Sequence, residues 1–264
     1  MSFPNMIFGN EGEQFNSYTN KRFPLGTQML LQDGRRYRFG LNGAGAATAG
    51  FLFQSEVPDA NHDTNAVPAA AATYNTAGTR NLRVTISANA IVANLWAEGY
   101  AVTEAAAGAG EGYAYKVKSH PASAGSEDVT FVLESELKHT LTTSDKVTFV
   151  RNPGAQVIIH PAPPTAALFG VAAGAIAAGS YGWFAVGGPQ PVAVVGTHVI
   201  GGGLIATSTV TGSPDGTVEA AGTAITTTAA TIAQFTEATG ALVGRCMEVA
   251  PTTGFGLAML TNLN

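Results

Sequence analysis

The strongest constraint on this chain is the spacing of its apolar residues. From Gly26 onward they recur at every second position in short runs, and no segment carries a sustained stripe at helical spacing. "NLRVTIS" sets Leu82, Val84 and Ile86 against polar neighbours, and "GYAYKVK" sets Tyr113, Tyr115 and Val117 against Ala114, Lys116 and Lys118. "EDVTFVLES", "DKVTFVRNP" and "AQVIIHP" follow at short intervals with turn residues between them. After Pro164 the pattern continues in "SYGWFAVGG", "PVAVV", "THVIGGGLIA", "TVEAAG", "GALVGRCMEVA" and "GFGLAML". The nearest helix candidate, "TAATIAQFTEATG", is weakened by its threonines. Many short strands at regular spacing predict an all-β protein, an antiparallel sandwich or barrel of jelly-roll or β-tulip type. In "GTQMLLQDGRRYRFGL" the Asp33-Gly34 pair between two strand-forming runs predicts a hairpin with a type I′ turn.

Three regions are expected: an extended arm over 1–23, a β domain over 24–162, and a second β-rich region over 163–264 dense in Gly, Ala and Thr. The arm, "MSFPNMIFGNEGEQFNSYTNKRF", spaces Phe3, Phe8, Phe15 and Tyr18 with neither helical nor strand period. It is too polar to form a core, but its aromatics suit anchoring to another chain. The stretch 56–78 is predicted to be a long surface excursion. "HPAPPTAA" (160–167) is predicted to be a stiff connector at the seam between the two β regions.

Composition narrows the function. Charged residues are 12% of 264, about half the usual share of roughly 25%, so the chain is not kept soluble by a charge-studded surface. A net charge of −5 argues against nucleic acid as a direct partner, and Arg35, Arg36 and Arg38 form only a local cluster. A single cysteine, Cys246, excludes an intrachain disulfide framework and a Cys-based zinc site. The start has neither the basic nor the apolar region of a secretory leader. The run "AALFGVAAGAIAAGSYGWFAVGG" is long enough to cross a membrane, but its frequent glycines and strand-like end argue against that.

No catalytic pattern assembles. "GAGEGY" (108–113) is followed by a strand ending in proline where a dinucleotide loop needs a helix, so a hairpin turn is expected. "GGG" at 201–203 lacks the Lys-Ser/Thr pair of a phosphate loop. His62, His120, His139, His160 and His198 show no metal-ligand spacing. His62, beside Asp63, suits a loop cap, while His120 and His160 precede prolines as strand-end punctuation. Glu134 and Glu136 alternate on one strand face, the mark of a solvated edge, and Cys246 lies in a predicted strand. The expectation is a protein that is not an enzyme, with no catalytic residue, cofactor or metal. Trp96, Tyr100, Tyr113 and Trp183 are the candidates for core or intersubunit packing.

Several blocks resemble accessory head proteins of tailed bacteriophages. They are "LGTQMLLQDGRRYRFGLNGAGAATAGFLFQ", "ANLWAEGYAV…GEGYAYKVKSHPA", "LTTSDKVTFVRNP" and "GSYGWFAVGGPQPVAV", with weaker likeness in "GALVGRCMEVA". The likeness covers roughly residues 25–200 and consists of strand patterns. It implies a capsid decoration (cement) protein on the outer surface of the virion. Such a protein is expected to be a homotrimer over threefold positions, contacting the major capsid protein and neighbouring cement trimers, with no direct contact to nucleic acid or membrane. The alternative is a fibre or spike that binds host-surface glycans through Tyr100, Tyr113 and Tyr181. A major shell subunit lacks support, since the long spine helix of such subunits has no counterpart.

Overall fold

The computed structural model describes residues 6–62, 65–67, 73–104, 112–207, 214–221, 242–248, 253–261 and 263. The protein is all-β. Among the described residues the only helical turns are two short 3-10 segments, Glu13–Phe15 and Ala60–His62. The chain divides into two compact units, Met1–Val57 with Pro153–Asn264, and Pro58–Asn152. The second is therefore inserted in the sequence of the first.

The inserted unit holds β5 (Asn65–Ala66), β6 (Asn81–Thr85), β7 (Tyr100–Glu104), β8 (Tyr113–Ser119), β9 (Asp128–Leu133) and β10 (Lys146–Val150). The first unit begins with β1 (Met6–Phe8), β2 (Gln28–Leu30), β3 (Arg36–Leu41) and β4 (Leu52–Gln54). After the insertion come β11 (Ile158–Ile159), β12 (Leu168–Ala172) and β13 (Tyr181–Val195). It ends with β14 (Gly203–Ala206), β15 (Val218–Ala220), β16 (Leu242–Cys246) and β17 (Thr253–Leu260).

In the inserted unit the strand order is β5-β10-β7-β8-β9-β6, and the two end strands come back into contact, giving a barrel-like curl. The alternation read from the sequence decides which side faces in. Leu82 and Val84 of β6, Tyr115 and Val117 of β8, and Val129, Phe131 and Leu133 of β9 are all buried. Trp96 closes this core, with ring centroids 5.2 Å from Phe149 and 5.9 Å from Phe131.

The larger unit is organised by β13, 15 residues long and buried on both faces for most of its length. Its first half pairs with β3 from Tyr181↔Leu41 to Gly187↔Arg36, and with β12 on its other side. Its second half pairs with β17 over eight residues, Gly188↔Leu260 to Val195↔Thr253. β17 pairs with β16, β16 with β14, β14 with β15, and β15 returns to β13 at Val194↔Val218, so five strands close a barrel. Trp183 and Ala185 face one core with Tyr37, Phe39 and Val192, while Phe184 faces another with Phe53 and Phe169. "SYGWFAVGG" and "PVAVV", two strands by sequence, are this one strand. The handover falls at Gly187-Gly188, where Gly188 takes φ 90° and a Cβ would lie 3.0 Å from the Arg35 Cα.

Three expectations meet a different structure. The proline-rich 160–167 stretch is no seam. β11 before it and β12 after it both pair with β4, so it is a tight connection within one sheet. The contiguous division into 24–162 and 163–264 gives way to the nested one, because β3 and β4 find partners beyond residue 153. The Asp33-Gly34 hairpin forms, but not through a type I′ turn. Gly34 has φ 87° whereas Asp33 stays out of the positive region, and Gly34 N–H donates to Leu31 O (3.0 Å). That is a three-residue turn ending in a glycine bulge, with Asp33 accepting the Arg35 N–H at 3.1 Å.

Two outcomes follow. A fragment spanning 58–152 is expected to show β-type circular dichroism and a cooperative melt, since its core is complete within it. A featureless melt would sink that. Gly188→Ala is expected to cost about 1–3 kcal/mol in denaturant titration, because a side chain there is strained in backbone and space.

Candidate functional site

The N-terminal segment is fastened to the larger unit at three points. β1 runs parallel to β2, with Met6 opposite Gln28, Ile7 opposite Met29 and Phe8 opposite Leu30. Strand alternation turns Ile7 onto the core and leaves Met6 and Phe8 outward, Phe8 at 82% exposure. The next hold is polar. Gln14 is buried, accepts the Gly12 N–H at 2.8 Å and donates to Glu11 at 2.7 Å. Glu11 forms an ion pair with Arg35, which also reaches Asp33 (2.5 Å) and the Tyr37 hydroxyl (3.2 Å). Burial pushes the Tyr37 hydroxyl up to about 12, so it stays neutral and donates to Gln190 Oε1 at 3.3 Å. The third hold is Tyr18, whose backbone exchanges two 2.8 Å hydrogen bonds with Tyr181. Its ring lies 6.1 Å from Phe39, and Phe23 lies 5.3 Å from Phe39 and 5.5 Å from Trp183.

The segment is thus not a free arm. Of its aromatic candidates, Phe8 and Phe15 (56% exposed) point outward, Tyr18 is half-buried as an anchor, and Phe3 lies outside the described residues. Beside Phe8 is a depression of about 480 Å³ lined by Phe8, Gly9, Asn10, Leu30, Leu31 and Gln32, with no charged side chain. Its chemistry is that of an apolar contact surface with backbone and amide groups at its rim.

The other candidates separate. Trp96 and Trp183 are core residues, at 2% and 1% exposure. Tyr113 is half-buried against His139 and Tyr115, and Tyr100 stands exposed on the opposite sheet face beside Val150. Tyr181 stacks on Phe39 at 5.7 Å. Within the inserted unit, Tyr100 and Tyr113 thus stand on opposite faces of one sheet and share no platform. The turn at "GAGEGY" and the "TAATIAQFTEATG" segment fall mainly or wholly outside the described residues.

Four of the histidines are buried, His62, His120, His160 and His198, and the first three pin their surroundings. β8 ends at Ser119 and β11 at Ile159, each just before a His-Pro pair. In both pairs the His Nδ1 lies 2.8 Å from the following proline's carbonyl oxygen. His120 Nε2 accepts the Trp96 N–H (3.1 Å), and His160 Nε2 meets the Thr217 carbonyl at 2.8 Å. His62 sits 4.7 Å from the Trp96 ring, between Asp59 and Ser87 at 3.4 Å each, so it closes its loop through Asp59. Among the described residues no three His, Cys, Asp or Glu side chains converge on a point that a metal ion would fill. No described helix is long and apolar enough to cross a membrane. Glu134 is solvent-exposed, and Glu136 makes a 3.8 Å pair with Arg80.

The sequence missed the polar clasp. Glu11 and Gln14 share one turn while Arg35 lies in another segment, which the parallel pairing of β1 with β2 brings alongside. Compared with protein-family models, curated proteins and solved structures, the chain matches none.

Burial lowers His120 below the ordinary imidazole value, against a smaller opposing pull from the Pro121 carbonyl, and burial lowers His198 likewise. Both are held neutral when folded. The unfolded chain takes up protons near 6.5, so their contribution is present above that pH and is lost on acidification. The melting temperature is expected to fall from pH 7.5 to pH 5, and His120→Gln to flatten part of that fall. An unchanged pH response in the variant would contradict it.

Proposed function

We propose that this chain is a structural virion protein, a decoration or cement protein that binds the outer surface of a phage head. It stabilises the expanded shell there by bridging major capsid proteins at threefold positions. The observation that carries this reading is the N-terminal segment. It is clamped by backbone pairing and by a polar clasp around buried Gln14, yet turns Phe8, Phe15 and Met6 to solvent. Large apolar side chains held rigidly outward are preorganised for docking, since little entropy remains to be lost on binding. The resemblance of the strand blocks to accessory head proteins supplies the partner.

The mechanism is mechanical. A clamp that binds only the expanded lattice shifts the equilibrium toward it by its differential affinity. Identical copies around one capsomer junction make modest contacts additive through avidity. A charge-poor surface suits this role, because few ions must be stripped of water when the protein seats.

Because β1 and Tyr18 are built into the sheet, point changes test this better than deleting the segment. Phe8→Ser and Phe15→Ser are each expected to weaken saturable binding to empty expanded heads by about 30-fold, the ~2 kcal/mol of an aromatic hot spot. Melting temperature should change little. Unaltered occupancy of the double variant on heads would overturn the proposal.

A further inference from the structure

A second apolar surface lies on the barrel, away from the N-terminal segment in sequence. On the outer face of β17, Phe255, Leu257 and Met259 alternate with buried Gly256, Ala258 and Leu260. Met247 follows β16 and donates its N–H to Leu257 O at 2.9 Å. The β13–β14 loop joins the same face, as Gly201 N–H donates to Cys246 O at 2.8 Å, which sets Val199 and Ile200 beside Met247. Val199 is 71% exposed, Ile200 64% and Phe255 54%. Together these six side chains expose on the order of 500 Å², within the upper range for the largest apolar patch of a monomer.

Two features select the occupant. β17 is paired on both sides, by β13 and β16, and β16 by β14 and β17, so no free backbone edge invites an added strand. A partner must pack face to face. Among the described residues the charges on this face are Arg245, directly across from Met259 and so within the patch, and Glu248, three residues further along. Arg245 donates to Gly201 O at 3.1 Å, and neither residue enters an ion pair among the described residues. A partner of single charge sign gains from one of the two and loses from the other. A second copy turned by a two-fold axis matches both, Arg245 to Glu248 and Glu248 to Arg245.

We infer that the β16–β17 face is a two-fold contact between copies of this chain. The six apolar side chains supply more than half of the ~800 Å² per partner of a standard interface, and Arg245 and Glu248 add to it. The inference does not rest on the capsid reading, and it joins copies in pairs whatever ring they form elsewhere.

Sedimentation velocity on the full chain tests it. The wild type is expected to associate pairwise with rising concentration. Met259→Glu with Ile200→Glu should abolish that step while leaving circular dichroism and melting unchanged. Arg245→Glu and Glu248→Arg should each weaken association at least about tenfold, and the double swap should restore it. Loss without recovery in the swap overturns the two-fold arrangement. No pairwise association at about 100 µM, or association indifferent to Met259→Glu, overturns the inference altogether. Loss of head attachment in Met259→Glu, with wild type and variant both unassociated in solution, would reassign the face to the shell.

Discussion

The larger unit depends on one strand with two sets of neighbours. β13 pairs with β3 and β12 along its first half and with β17 along its second, and it is buried on both faces. A strand covered on both sides cannot slip by one residue without exchanging Trp183 and Phe184 between cores of different shape. Register is therefore fixed here, and the flanking strands inherit it. The bend at Gly187-Gly188 lets a single strand serve an open sheet and a closed barrel without a break in the backbone.

A chain with so few charges must hold its loops by other means. His120 and His160 each tie a strand end to a distant segment through both ring nitrogens, with proline fixing the backbone beside them. The His160 backbone adds bonds to Leu52 and from Gly216, so three segments meet at one buried side chain. Gln54 does similar work, its amide oxygen accepting the Thr165 N–H (3.0 Å) and its amide nitrogen donating to Thr165 Oγ1 (2.8 Å). These contacts lie in a low-dielectric interior, where leaving either partner unmet costs about 1–3 kcal/mol. They stand in for the surface ion pairs that the composition does not supply.

The same economy of charge shapes the exposed surface. Among the described residues of the larger unit, exposed large apolar side chains cluster on the outer side of the N-terminal segment and on the outer face of β16 and β17, with Val57 and Ile159 exposed besides. Met6 and Phe8 on β1, and Phe255, Leu257 and Met259 on β17, sit on backbone paired into a sheet that sets their positions before any partner arrives. Phe15 lies in a 3-10 turn, and Val199 and Ile200 in a loop. The Glu11–Arg35–Asp33 clasp links the N-terminal segment to the β2–β3 turn at the surface.

The all-β architecture was legible in the alternation of Leu82, Val84 and Ile86 or of Tyr115 and Val117, because a strand's two-residue period is a local property. So were the Asp33-Gly34 hairpin and the strand ends at His120 and His160. The nesting of one unit inside the other was not legible, since pairing of β4 with β11 and β12 spans about a hundred residues and leaves no local trace. Nor was the fate of the N-terminal aromatics. Phe8 and Tyr18 are alike in composition and spacing, yet one lies outward and the other anchors. Which residues pack and which project is decided by the strand that each meets, and only the tertiary structure brings that strand alongside.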